Sequence, residues 1–570
     1  MLKLVKSFVV GWFAVVWLGI TLSSSSASSA HPAAADRRPI NPSELHRTAT
    51  ITTTIYFPII AVNYIPPPTP VMVSLRLGLN FVSSAEAPAN TTRYQQAADL
   101  NPAINRWPFY WYGIEPQPIT QPRTFDWSKI DANVIADTQH NLPIDAILLG
   151  TPPDLATGGS ALAPRPKIGD GLRVLEKSLS TNGPTTISSV ASPPIGLYDG
   201  IYANGVITND VPGKPINPNN RWAYFVNAAV NRYKPGGTIA QAQGWLSTTG
   251  ITHWEIWNEE DLNFFFSGTI TDYARLLKVA YLSAKSADPH AVIVLGGMAH
   301  FEKPTWLNDT LNIIATDPLS ITYHGYMDAV ASHSYAWSWQ TFNYLYQDRS
   351  QLNARGLNNV RLWLTETGLP VCDDPPYVFC PSTYRGSMHE QANYLIQTLT
   401  FAQWLNAEMA IWFQMVDDCG NDGHYDAFGL IRNPASMPAC PQTARDGTTR
   451  SSYDTYQVFA NRVLGAVPYW RKRPTSNQEL IAFKRASAGQ RIVVMWARSN
   501  VAETVVLSAT SSSAELISPD GSTQAIFSIN GVYTITLPAA TNYSTPTNDG
   551  SAAIGGDPRI LIETDPDVTP

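Results

Sequence analysis

Charge is scarce in this chain. Asp, Glu, Lys and Arg make up only 15 % of its 570 residues, and the formal net charge is −7. No Lys/Arg run is dense enough to follow a phosphate backbone, so nucleic acid is not an expected partner. Cysteine is rarer still, with four residues at 372, 380, 419 and 440. There is no CxxC, and no His is spaced to complete a tetrahedral zinc site, so the cysteines read as disulfides. Three pairings are open, of which Cys372–Cys380 with Cys419–Cys440 closes the shortest loops. Past the first thirty residues no apolar run is long enough to cross a bilayer. No GxGxxG follows the first strand-like run, which argues against a doubly wound dinucleotide-binding sheet.

Proline (44) and tryptophan (17) are plentiful, a composition that suits a loop-decorated extracellular protein rather than a disordered one. The N-terminus agrees. MLKLVK supplies positive charge, SFVVGWFAVVWLGI an apolar stretch, and SSSSASSA small residues for cleavage after Ala30. Residues 1–30 therefore read as a signal peptide, with an uncleaved anchor as the alternative. After cleavage no membrane association is expected. Residues 31–71 read as a Pro/Ala/Thr-rich linker or extension holding one candidate strand, TTTIYFPIIAV.

The length implies two folded units plus tails. From residue 72, short apolar runs alternate with helical patterns: VSLRLGLNFV, AINRWPFYWYGIEP, IDAILLGTPP, HWEIWNE, AVIVLGGMA, MDAVASHSY, VRLWLTETG and MAIWFQMVDD. Eight such alternations over 72–466 predict a (β/α)8 TIM barrel with long loops. From 467 to 570 the runs become short, alternating and separated by Gly, Asn, Asp and Ser. They predict a small all-β, sandwich-like domain with a flexible tail.

In a barrel of this kind, chemistry collects at the C-terminal strand ends. There the chain places Arg106 on strand 2, Asn258 and Glu259 after strand 4, His333 and Tyr335 on strand 6, Glu366 on strand 7 and Trp412 on strand 8. Each alone has an ordinary structural explanation. Together they form a working set for hydrolysing a glycosidic bond with retention, which needs two carboxyls about 5 to 5.5 Å apart, one attacking and one protonating. An Arg beside the attacking carboxylate keeps it ionised. Trp111, Tyr112, Trp337, Trp339 and Trp412 are candidates for stacking on sugar faces, with packing between barrel and helices as the alternative. Glu115 is expected to support the loop after strand 2. DDCGNDGHYD does not fit calcium-loop spacing, so no metal and no cofactor are assigned.

These segments resemble the clan A glycoside hydrolases. IWNEED is similar to the clan's strand 4 Asn-Glu, which implies Glu259 as acid/base and Asn258 at the sugar 2-hydroxyl. LWLTETG resembles the strand 7 segment ending in the nucleophile, here Glu366. INRWPFYW and SHSY match the strand 2 Arg and the strand 6 His-x-Tyr. WYGIEP, FDWSKID and GTPPDLA resemble family 39, the β-xylosidases, iduronidases and exopolysaccharide hydrolases. ILLGTPPDLA lacks the strand 3 His usual in family 5. The resemblance implies a secreted enzyme acting on an oligo- or polysaccharide. A binding or surface-associated barrel without turnover and a transglycosylase on the same site are the competing readings.

Overall fold

The computed structural model describes residues 73–115, 118–119, 122–157, 189–203, 215–374, 386–419, 425–433, 447–542 and 551–567. The expected signal peptide, the 31–71 extension, Cys380 and Cys440 lie outside them. Among the described residues, no helix is long and apolar enough to cross a membrane.

Eight parallel strands close into a barrel in sequence order. They are β1 (Arg76–Asn80), β2 (Asn105–Tyr110), β3 (Ile144–Leu149), β4 (His253–Ile256), β5 (Val292–Met298), β6 (Ala329–Tyr335), β7 (Arg361–Gly368) and β8 (Met409–Trp412). Each lies inside a run marked by the sequence, and the TIM barrel is as expected. Around it run α1 (Thr91–Leu100), α2 (Ser128–Gln139), α3 (Arg221–Tyr233), α4 (Ile270–Ala287), α5 (Trp306–Ala315), α6 (Ser338–Asn353), α7 (Met388–Trp404) and α8 (Ser451–Arg462). Capping boxes, Thr269 with Asp272 and Ser387 with Glu390, start α4 and α7 by satisfying amides that have no partner within the helix.

Successive strand residues point alternately into the barrel and out to the helices. The lower lumen is filled by one apolar cluster: Ile104, Val294, Ala329, Ala331, Trp363, Met409 and Ile411. The ring of His253 on β4 meets that of Trp363 on β7 across the lumen, 5.3 Å between centroids. Nearer the C-terminal strand ends the filling changes from apolar to charged.

A two-stranded ribbon, β9 (Asp418–Cys419) and β10 (Tyr425–Asp426), follows β8. The all-β part begins at Val467. It comprises β11 (Val467–Lys472), β12 (Gln478–Arg485), β13 (Gln490–Ala497), β14 (Glu503–Ser508), β15 (Ser513–Ile517), β16 (Thr523–Phe527), β17 (Val532–Leu537) and β18 (Arg559–Thr564). Six strands form one sheet in the order β11-β12-β13-β18-β15-β16, and β14 pairs with β17. The six-stranded sheet is covered on both faces. Ile481, Phe483, Ile492, Val494 and Trp496 join the core of the barrel and its helices. Leu480, Ala482, Val493 and Met495 pack instead with Val505, Leu507, Tyr533 and Ile535 of the β14–β17 ribbon. Gln397 of α7 is locked to Gly555 by two hydrogen bonds of 2.9 and 3.0 Å, and Phe401 meets Trp496 edge-on at 5.3 Å.

Candidate active site

Arg106 organises the upper lumen. A guanidinium carries five N–H donors, and every one of them is engaged. Nε and Nη2 grip Glu255 at 2.7 and 2.8 Å, while Nη2 also reaches Asn258 Oδ1 at 2.9 Å. Nη1 donates to Asn80 Oδ1 at 3.1 Å and to Glu366 Oε1 at 2.7 Å. Burial alone would ease a proton off this group. The charge and hydrogen bonds of Glu255, and then the charge of Glu366, outweigh that and hold it firmly cationic.

The two asparagines are oriented by the same contact. Each turns its amide oxygen to Arg106, so each amide nitrogen faces elsewhere. Asn80 Nδ2 donates to the Thr365 carbonyl at 2.9 Å. Asn258 Nδ2 is buried with no hydrogen-bond partner among the described residues. A buried amide donor without an acceptor is costly, and a ligand hydroxyl would satisfy it.

Glu366 receives a hydrogen bond on each oxygen, from Arg106 on Oε1 and from the Tyr335 hydroxyl on Oε2. Burial raises its carboxyl above the ordinary range, with Arg106 and then Tyr335 working against that rise. Its inward aim depends on a break in register. Trp363 points into the lumen, and strict alternation would send residue 366 outward. The β7–β8 ladder shifts between Leu364 and Thr367, so Glu366 turns inward and Thr367 outward onto Tyr394 of α7, at 2.8 Å.

Glu259 is held differently. The chain leaves β4 through Trp257 and Glu259 in left-handed conformations, φ 72° and 46°. Such backbone costs of the order of 1 kcal/mol per residue and persists only where the surroundings fix it. Trp257 Nε1 donates to the Phe265 carbonyl at 2.9 Å, and the Glu259 amide to the Gly297 carbonyl at 2.8 Å. The imidazole of His333 then reaches Glu259 Oε1 through Nδ1 at 2.9 Å. Burial, followed by the charge of Arg106, keeps that imidazole neutral, so the contact is a hydrogen bond and not an ion pair. Only glycine permits it, because a Cβ on Gly297 would lie 1.9 Å from His333 Nε2.

Glu259, His333 and Glu366 present donor atoms that all lie within 4.8 Å of one another. A divalent cation could be imagined there. The chemistry of the set does not fit one, since both oxygens of Glu366 already accept from Arg106 and Tyr335, and the guanidinium charge stands beside them.

The fold has solved counterparts. A family 39 glycoside hydrolase from the gut symbiont Bacteroides cellulosilyticus WH2 is similar at a TM-score of 0.52 and 15 % identity, over 85 % of this chain and 80 % of that one. A monomeric β-xylosidase from Caulobacter crescentus CB15 is similar at 0.50 and 14 %, over 89 % and 98 %. This chain has their fold. No protein-family model and no curated protein matches the sequence.

Arg106, Asn258, Glu259, His333, Tyr335 and Glu366 are thus brought together at the C-terminal end of the barrel. Two expected aromatics are not. Met409 and Ile411 fill the lumen, so Trp412 faces outward, with its ring against Tyr394 of α7 (6.1 Å) and Nε1 on the Phe428 carbonyl (3.1 Å). Its neighbour Phe413 takes the inner position, edge-on to Tyr335 at 5.8 Å. Trp111 stacks on Phe225 of α3 at 5.1 Å and donates to Glu115. Both tryptophans follow the packing alternative. Glu115 also receives Arg123 through two hydrogen bonds, which secures the segment after β2 as expected. Glu260 is fully buried and turned towards Gly296 and Tyr273.

The sequence reading missed Asn80, Asp145, Glu255 and Gly297. One signal was available: Glu255 and Asp145 each interrupt an apolar strand, and a charge inside a barrel strand requires a buried partner.

Proposed function

We propose that the protein is an exported retaining glycoside hydrolase acting on an oligo- or polysaccharide. The observation that carries this reading is the approach of the Glu259 and Glu366 carboxyl oxygens to within 4.8 Å. That approach favours a retaining pair, about 5–5.5 Å apart, over an inverting one, which needs about 6.5–9.5 Å to admit its water. In the first step a Glu366 oxygen attacks the anomeric carbon as the glycosidic C–O bond breaks, and protonated Glu259 gives its proton to the departing oxygen. In the second, Glu259 takes a proton from water, the water oxygen bonds to the anomeric carbon, and the ester to Glu366 breaks. Arg106 and Tyr335 orient Glu366, His333 orients Glu259, and the Asn258 amide is placed for a sugar hydroxyl. No cofactor enters either step. Export rests on the composition of residues 1–30. In an oxidising compartment, peptide mapping without reduction should recover Cys372–Cys380 and Cys419–Cys440.

The test is turnover of a panel of aryl β-glycosides, beginning with xylosides because one structural neighbour is named a β-xylosidase. Proton NMR should find the first-formed product with retained configuration. Glu259→Ala should slow substrates with poor leaving groups far more than activated aryl glycosides, and azide should restore turnover as a glycosyl azide of retained configuration. An inverted product, or no turnover across the panel, would sink the proposal.

A further inference from the structure

Asp145 on β3, in register with Arg106 on β2, and Glu255 on the next strand, β4, lie fully buried in the lumen. The guanidinium is 4.0 Å from Asp145 at its nearest approach, yet its five N–H groups are engaged by Glu255, Asn258, Asn80 and Glu366. Neither Asp145 oxygen accepts a hydrogen bond among the described residues. An ionised Asp145 would be a buried anion with no donor, an arrangement folded proteins avoid. An un-ionised Asp145 carries an O–H that needs an acceptor, and Glu255 is the carboxylate it faces. We propose that Asp145 and Glu255 are a carboxylic acid–carboxylate pair sharing one proton, and that its single negative charge seats Arg106 and so sets the ionisation of Glu366 and the orientation of Asn258. Both are positioning residues; neither touches the reacting atoms.

Among the described residues, Arg106 is the only cation bonded to this set. With the pair carrying one negative charge, enough of the Arg106 field is left for Glu366 to ionise. With both members ionised, Glu366 would retain its proton and could not attack. Burial, and after it the charge of Glu255, pushes the Asp145 carboxyl well above its usual range, in the same sense. Glu366 is faced by Arg106 from β2, Glu255 and Glu259 from β4 and the segment after it, and His333 and Tyr335 from β6. Behind Glu255, Glu260 and the Tyr273 hydroxyl of α4 lie within electrostatic reach.

The role assigned to Glu366 rests on the function proposed above, so the test has one arm that needs turnover and one that does not. In the first, the acid limb of kcat/KM reports Glu366 in the free enzyme. Glu255→Gln should move that limb down by about one pH unit, because Arg106 then serves a single carboxylate. Asp145→Asn, which keeps a neutral donor against Glu255, should leave the limb where it is, whatever it does to the rate. In the second arm, the infrared difference spectrum of Asp145→Asn against the native full-length protein at neutral pH should show loss of a protonated-carboxyl band. An unmoved limb in Glu255→Gln, a lowered limb in Asp145→Asn, or no lost band would each overturn the pair. If Glu255→Gln fails to fold, Asp145→Asn decides by both readouts. A native protein inactive on every glycoside would end the glycosidase reading, and the infrared arm would still settle the pair.

Discussion

Within one lumen the barrel carries two fillings of opposite character. The lower half is the apolar cluster around Trp363, Met409 and Ile411. The upper half is Arg106 with Asp145, Glu255 and Glu366, all buried as deeply as the aliphatic residues below. The lower filling stabilises by removing apolar surface from water. The upper one takes charges out of water, and their mutual attraction returns that cost only while the set is complete. Stability thus comes from the lower half, and the upper half gives stability up for chemistry.

The comparison can be broken by substitution. Glu366→Gln should cause the largest effect, at least about a 10⁴-fold fall in kcat on aryl glycosides, with a melting temperature equal to the native one or higher. A large loss of stability with turnover retained would mean the upper filling is structural after all. Next come one residue from each half. Arg106→Ala leaves Glu255 buried and unpaired and should cost about 3–5 kcal/mol in denaturant unfolding, with turnover abolished. Trp363→Ala should cost a similar amount, about 3–5 kcal/mol, through the cavity it opens. Its activity per folded molecule should stay within a few-fold, and that split is what distinguishes the halves.

A smaller effect sharpens the boundary between them. Burial, with Asp261 adding to it, holds the Glu260 carboxyl well above its usual range. The unfolded chain gives up that proton as pH rises past the ordinary Glu value, whereas the folded chain keeps it. Stability from this group is therefore complete at acid pH and declines as pH rises, by about 1.4 kcal/mol per unit at the steepest. Glu260→Gln should flatten that decline between pH 5 and 8, as followed by urea midpoints, with kcat within a few-fold of native. An unchanged pH slope would show that Glu260 ionises with a partner.

Much of this was legible in the sequence, for a physical reason. Parallel barrel strands are covered on both faces, so they read as apolar runs, and their polar ends stand out against them. The same double burial hid the facing of individual residues. MAIW is apolar throughout, so nothing in the letters shows that Trp412 points out and Phe413 in. Glu366 faces the lumen only because the β7–β8 register shifts beside it, and a shift of that kind leaves no mark in a single sequence. Asp145 and Glu255 were visible as interruptions, but their common partner is Arg106 of β2, distant in sequence from both. The six-stranded sheet was expected as half of a sandwich. Alternation was expected throughout 467–570, but in ELIAF and RIVVMW both faces are buried, because a second core, shared with the barrel, covers the other face.

The strand order of that sheet also bears on how the chain is made. β18 is the last described strand in the sequence, yet it lies between β13 and β15, in the middle of the sheet. Until it has been synthesised, β13 and β15 each present an unpaired edge, and Gln397 of α7 lacks the Gly555 backbone it grips. A growing chain can therefore assemble its barrel strands in order, but it cannot close the sheet, or the core that sheet shares with the barrel, before β18 arrives. Until then β13 and β15 are open to pairing with strands of other molecules, so this sheet, and not the barrel, is where misassembly would begin.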